Sequence, residues 1–130
     1  MAPARFDAET LALLDAAPTI RIDTVDRHAP GGPSRSTIIW IVVDGEDVFV
    51  RSVRGGRGRW YRDLLADPEA TLRPHKGRWS PVAVVAEPAG DAPSIERCSR
   101  ALERSYAGDP ALGLMLREDT LATTLRLVPA

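Results

Sequence analysis

Residues 37–52 read Thr-Ile-Ile-Trp-Ile-Val-Val-Asp-Gly-Glu-Asp-Val-Phe-Val-Arg-Ser. The run 37–43 is continuously apolar and rich in β-branched side chains, which suit a pleated strand. Asp44-Gly45-Glu46-Asp47 supplies turn chemistry, and 48–52 resumes an extended pattern. Two such strands joined by a short turn containing Asp-Gly predict a β-hairpin. The first strand has too few polar positions to lie on a surface. It is expected to be central and covered on both faces, as in a barrel that also pairs with a second subunit.

Upstream, Asp7 stands before an amphipathic stretch ending ahead of Pro18, so a short helix with an acidic N-cap is predicted there. Residues 19–25 alternate in polarity as a half-buried strand does, and a Pro- and Gly-rich loop follows over 28–33. Downstream, 54–59 is a loop of glycine and arginine, and 60–66 is a short helix stopped near Asp67-Pro68. A second hairpin is expected from 70–73 and 79–85, with Trp79 opening its second strand. Asp91 to Pro93 then reads as a break before a helix over 94–106 capped by Ser94, whose buried stripe is Ile95, Cys98, Ala101, Leu102 and Tyr106. A weak helical turn over 111–117 and a closing strand over 123–128 complete the order. This gives an α+β chain of about six mostly antiparallel strands and three short helices, expected to form a single domain over residues 1–130.

Charge and composition narrow the function classes. The formal net charge is -1, with Lys76 the only lysine, and this arginine bias fits a GC-rich bacterial genome. Such a balance disfavours nucleic acid, which is bound largely through phosphate neutralisation. No apolar run approaches the roughly 18 to 20 residues of a membrane span, and Asp7, Glu9 and Asp15 are out of place in a signal peptide. A cytoplasmic protein with no membrane partner is expected. Cys98 is the single cysteine, which excludes an intrachain disulfide, and it reads as a packing residue. His28 and His75 have no partner at metal-ligand spacing, so no metal is predicted. No catalytic triad stands out, and the catalytic residues stay unknown.

The stretch 37–73 resembles the core of the split β-barrel flavin and deazaflavin reductases, the pyridoxamine-phosphate-oxidase-like superfamily: strand, turn, strand, arginine-rich loop, short helix, then a "D-P-x-x-x-L" strand. It is closer still to the uncharacterised domain of unknown function 2255 family, through its "I-W-V-V" strand, aspartate-glycine turn, "V-R-S" and "W-Y-R". The resemblance implies a split β-barrel of the FMN-binding kind that forms a homodimer with cofactor sites between subunits. It places Arg51 and Ser52 at the strand-end phosphate contacts and Arg57 and Arg59 at the basic entry to the short helix. Ser36 and Thr37 fall near the polar edge of a ring, and Trp60 and Tyr61 flank the substrate side. The family's lysine before the short helix is absent, the loop is unusually glycine-rich, and Trp60-Tyr61 puts two bulky rings where a cofactor arm would pass.

Read from the residues alone, Arg51, Arg54, Arg57, Arg59 and Arg62 interleaved with glycines suit a phosphate or carboxylate. The opposing reading is a solvated loop whose arginines pair with Asp63, Asp67 and Glu69. It is not a P-loop, because the lysine and hydroxyl residue after the glycines are missing. Three functions therefore stand. One is an oxidoreductase using FMN or deazaflavin (coenzyme F-420) on a small organic substrate. The second is a non-catalytic binder of an anionic, flavin-like or haem-like ligand, and the third is an enzyme that uses the vacated cleft with no cofactor. Fold alone does not choose among them.

Overall fold

The computed structural model describes residues 5–130. Its strands are β1 (Ile20–Thr24), β2 (Arg35–Ile39), β3 (Val42–Asp44), β4 (Asp47–Val50), β5 (Glu69–Pro74), β6 (Val82–Pro88) and β7 (Leu125–Pro129). Its helices are α1 (Ala8–Asp15), α2 (Arg59–Ala66), α3 (Ala92–Ser105), α4 (Leu112–Met115) and α5 (Glu118–Leu121), with a 3-10 turn at Gly55–Arg57. All seven strands form one sheet in the order β2-β1-β5-β6-β7-β4-β3, and every neighbouring pair is antiparallel.

The edge strands β2 and β3 are consecutive in the chain, parted only by Trp40 and Ile41. Laid flat, the outer strands of seven would stand roughly 29 Å apart at ~4.8 Å per neighbour. The chain from Ile39 to Val42 reaches at most about 11 Å. The sheet must therefore curl until its edges meet, which makes it a split barrel.

The apolar run 37–43 is thus two edge strands rather than one central strand. Tyr106 stabilises the break. Its hydroxyl accepts from the Ile41 amide (3.3 Å) and donates to the Pro18 carbonyl (2.6 Å), while its ring stacks on Trp40 with centroids 3.9 Å apart. Within one chain both faces are covered on β3 alone. Val43, Val48 and Val50 point into the barrel core, while Val42 and Phe49 point outward beneath α3, against Cys98, Ala101 and Leu102. On β2 the outward Ile38 is 46% exposed.

Local signals set most element ends. The Asp7 carboxylate caps α1 by accepting from the Thr10 amide at 2.7 Å. Gly45 takes φ +62° in the two-residue turn between β3 and β4, a conformation that costs glycine little. Helix α3 begins two residues earlier than its expected Ser94 cap, because Asp91 caps it and Pro93 fits the first turn, where a missing N–H costs nothing. Trp79 does not open a strand: β6 starts after Pro81, and Trp79 folds back half-buried against the barrel core. Among the described residues seven strands and five short helices replace the expected six and three; the added pieces are the split of the 37–43 run, α4, which was expected only as a weak helical turn, and α5.

Candidate functional site

Between β2, the segment after β4 and the start of α2 lies a cavity of about 490 Å³, a size suited to a small molecule. Thr37, Ile38 and Trp40 form one wall, and Arg51, Ser52 and Arg59 face them. Sequence order brings the second set together: β4 ends at Val50, the Gly55–Arg57 turn reverses the chain, and α2 then points its N-terminus back at Ser52.

Ser52 is buried, and its amide donates to Thr123 Oγ1 at 3.0 Å. Its own hydroxyl has no hydrogen-bond partner. A buried hydroxyl without a partner is costly, and because it has almost no accessible surface a ligand in the cavity reaches it only if the Ser52 side chain turns. Opposite it stands Gly58, where a Cβ would come within 2.2 Å of Ser52 Oγ. Gly58 has φ -58° and ψ 130°, ordinary for any residue, so glycine is required here by space and not by backbone conformation. Gly58 is also the N-cap of α2 and offers no side-chain cap, so the first-turn amides stay open to an anion. An unpartnered hydroxyl, bare backbone and a helix N-terminus therefore meet in one place.

Arg51 behaves differently from the expected phosphate contact. Its guanidinium is buried, and it donates from Nε to Thr124 Oγ1 (2.9 Å), from Nη1 to Ser99 Oγ and the Met115 carbonyl (both 3.0 Å), and from Nη2 to the Ile95 carbonyl (3.1 Å). No carboxylate is recorded in an ion pair with it among the described residues, and burial pulls its pKa below the ordinary arginine value. It fixes the end of β4 against α3, α4 and the residue before β7, and lends the cavity wall an uncompensated positive charge. The neighbouring Cys98 thiol is pushed up to about 11 by burial, so it is no nucleophile at neutral pH.

Arg59 is held by a buried carboxylate that the sequence reading assigned only to solvated pairing. Asp63 accepts from Arg27 Nη1 and Arg35 Nη2 (both 2.8 Å), from Thr24 Oγ1 (3.0 Å) and from Arg59 Nη1 (3.4 Å). Burial alone would raise its pKa, but the hydrogen bonds from Arg35, the Arg27 amide and Thr24 overcome this and hold it at about 2. Arg59 in turn donates to Thr37 Oγ1 at 2.6 Å, which sets both side chains on the cavity wall.

Of the residues named from sequence, Thr37, Arg51, Ser52, Arg59 and Trp60 line this cavity. Ser36 is exposed and does not line it, and Tyr61 packs half-buried on the barrel core. Arg57 faces a different cleft, shared with Arg54 and Arg117. His28 is exposed and His75 Nδ1 meets Thr19 Oγ1 at 2.7 Å; neither lines the cavity. Among the described residues no cluster of three His, Cys, Asp or Glu side chains is arranged to hold a metal ion. The sequence reading missed Gly58 and the Asp63 cluster. Gly58 lay in view within the glycine run, but its role depends on Ser52.

A curled antiparallel sheet of this order, with its cavity at the split, defines an α+β protein of the split-barrel fold. The chain belongs to the family described as "Uncharacterized protein conserved in bacteria (DUF2255)", whose model matches residues 10–127. No curated protein matches it. Among solved structures it is similar to HutZ, the haem storage protein of Vibrio cholerae, at TM-score 0.65 and 19% identity, covering 97% of this chain and 91% of that one. It is also similar to a Listeria innocua protein named for pyridoxamine 5'-phosphate oxidase, at TM-score 0.64 and 13% identity over 93% and 90% of the two chains. An F420-H2-dependent reductase matches at TM-score 0.60 and 16% identity, over 85% of this chain and 93% of the other. At these identities the likeness is one of fold.

Proposed function

We propose that the cavity binds FMN or the deazaflavin coenzyme F-420 and that the protein is an oxidoreductase for a small organic substrate. The observation that carries this reading is the unpartnered Ser52 hydroxyl, set beside the uncapped start of α2 and faced by Gly58. A phosphate in the cavity would accept from the first-turn amides, and from the hydroxyl once the Ser52 side chain turns to it, and would meet the helix dipole at its positive end. When bound, such a cofactor supplies hydride transfer, and the protein's part is placement and charge. Arg59 and Thr37 hold the polar edge, while Ile38 and Trp40 offer an apolar face to a ring. Arg51 acts from behind the wall as a positioning residue. Among the described residues the lining contains no carboxylate, imidazole or thiol.

The haem-named neighbours make haem the competing ligand within the fold. The absence of an imidazole from the cavity lining favours the flavin-type reading. Ile38 and Val53 stand exposed on its rim, at 46% and 41%, and we assign them to the contact with a second copy of the chain. Among the described residues no helix is long and apolar enough to cross a membrane. A cytoplasmic location remains part of the proposal, resting on the acidic Asp7, Glu9 and Asp15. Fluorescence titration with FMN and with coenzyme F-420 tests the reading: one of them should saturate at about one equivalent per chain. Sedimentation should give twice the chain mass. Absence of binding by either cofactor at about 1 mM, far above ordinary cofactor affinities, would contradict it.

A further inference from the structure

We propose that the open cleft beyond the Gly55–Arg57 turn is a second oxyanion subsite, which takes a carboxylate or phosphate distinct from the group held at Ser52. The cleft has a volume of about 650 Å³ and is lined by Arg54, Gly55, Gly56, Arg57, Arg117 and Asp119. Its charges do not balance. Arg117 is the one arginine here that is spoken for, with Asp119 at 3.4 Å and the Val53 carbonyl accepting from its Nη2 at 2.8 Å. Among the described residues Arg54 and Arg57 make no ion pair and no side-chain hydrogen bond, whereas Arg27, Arg35 and Arg59 all converge on Asp63. Two arginines that line one cleft with no carboxylate partner each offer a planar fork suited to an oxyanion.

The floor of the cleft is bare backbone for a structural reason. Gly55 takes φ +61°, and a Cβ there would stand 2.9 Å from the Asp119 carbonyl oxygen. At Gly56, which is exposed, a Cβ would meet nothing within 4 Å, so the backbone there lies open to the cleft. Arg54 lines this cleft and the Ser52 cavity alike, so the two subsites adjoin. The second anion is either another group of the molecule seated at Ser52 or a separate molecule beside it. The cleft itself does not depend on the cofactor reading.

The test is calorimetric titration of the protein with inorganic phosphate at constant ionic strength, with Arg57→Ala and Ser52→Ala alongside. Arg57 is exposed and unpaired, so its alanine variant should melt at the wild-type temperature. Wild type should take up about two phosphates per chain, and Arg57→Ala should weaken one of them at least about tenfold, as expected for a charge-assisted hydrogen bond. An Arg57→Ala titration superimposable on wild type would overturn the proposal. Loss of one phosphate in Arg57→Ala with no change in Ser52→Ala would leave the subsite standing and remove the cofactor reading. Repeating the titration on FMN-saturated protein separates the sources. Continued uptake of one phosphate means that the second subsite takes an anion from a separate molecule, whereas none would mean that the single phosphate of FMN already fills it and would overturn the proposal of two distinct subsites.

Discussion

The Ser52→Ala substitution removes one oxygen atom from the cavity wall and leaves the Ser52 amide free to keep its bond to Thr123. In the unliganded protein that oxygen is buried and unpartnered, a state that costs roughly 1–3 kcal/mol. Part of this is offset by the packing lost with the atom. The variant should therefore be as stable as wild type or up to about 1 kcal/mol more stable, a rise in Tm of a few degrees, about 2–5 °C. Its affinity for FMN should fall at least about tenfold, because a hydrogen bond to a charged group is worth about 1.5–3 kcal/mol. Urea denaturation and fluorescence titration on the same preparation give both numbers. A loss of stability above about 1 kcal/mol would mean that the hydroxyl has a structural partner. Unchanged FMN binding would mean that it has no ligand, and either result refutes the argument from the orphaned atom.

Other substitutions test the supports of the site. Arg51→Ala strands the acceptors at Thr124, Ser99, Met115 and Ile95 and opens a void, so it should cost about 3–5 kcal/mol in denaturation, in contrast to a mere loss of affinity. Asp63 has a folded pKa of about 2 against an ordinary 3.8, so it contributes stability above about pH 4 that is lost as pH falls towards 2. Compared with wild type, Asp63→Asn should be less stable at pH 7 and should lack about 2 kcal/mol of the acid-induced loss in denaturation measured from pH 5 to 2. Tyr106→Phe removes the acceptor for the Ile41 amide and the donor to Pro18, and should cost about 1–3 kcal/mol by thermal or urea unfolding while keeping the stack on Trp40.

What the sequence made legible was local. The Asp44-Gly45 turn, the Asp7 cap and the stripe of α3 all rest on residues within a few positions of each other; the first two formed as read, and of the stripe Cys98, Ala101, Leu102 and Tyr106 are buried while Ile95 is half-buried. The break at Trp40 could not be read there, because its cause is a tyrosine 65 positions away that takes up the backbone groups freed at Ile41. The α3 start was misplaced for a local reason: Pro93 reads as a break but is compatible with a first helical turn. At the site, residues adjacent in the chain, Ser52, Arg59 and Trp60, do share a cavity with Arg51. The difference between Arg51 and its neighbours was invisible, since the acceptors that bury its charge come from α3, α4 and the approach to β7. Asp63 looked like one more surface acid until Thr24, Arg27 and Arg35 were brought to it by the pairing of β1 with β2.

The central claim is that a phosphate-bearing cofactor sits in the cavity lined by Ser52 and the start of α2. The most direct measurement is amide chemical-shift mapping of the nitrogen-15-labelled protein titrated with FMN. The account predicts the largest shifts at Ser52, Gly58, Arg59 and Trp60, saturating together. Shifts confined to α3 and α5 with these four unmoved would contradict it.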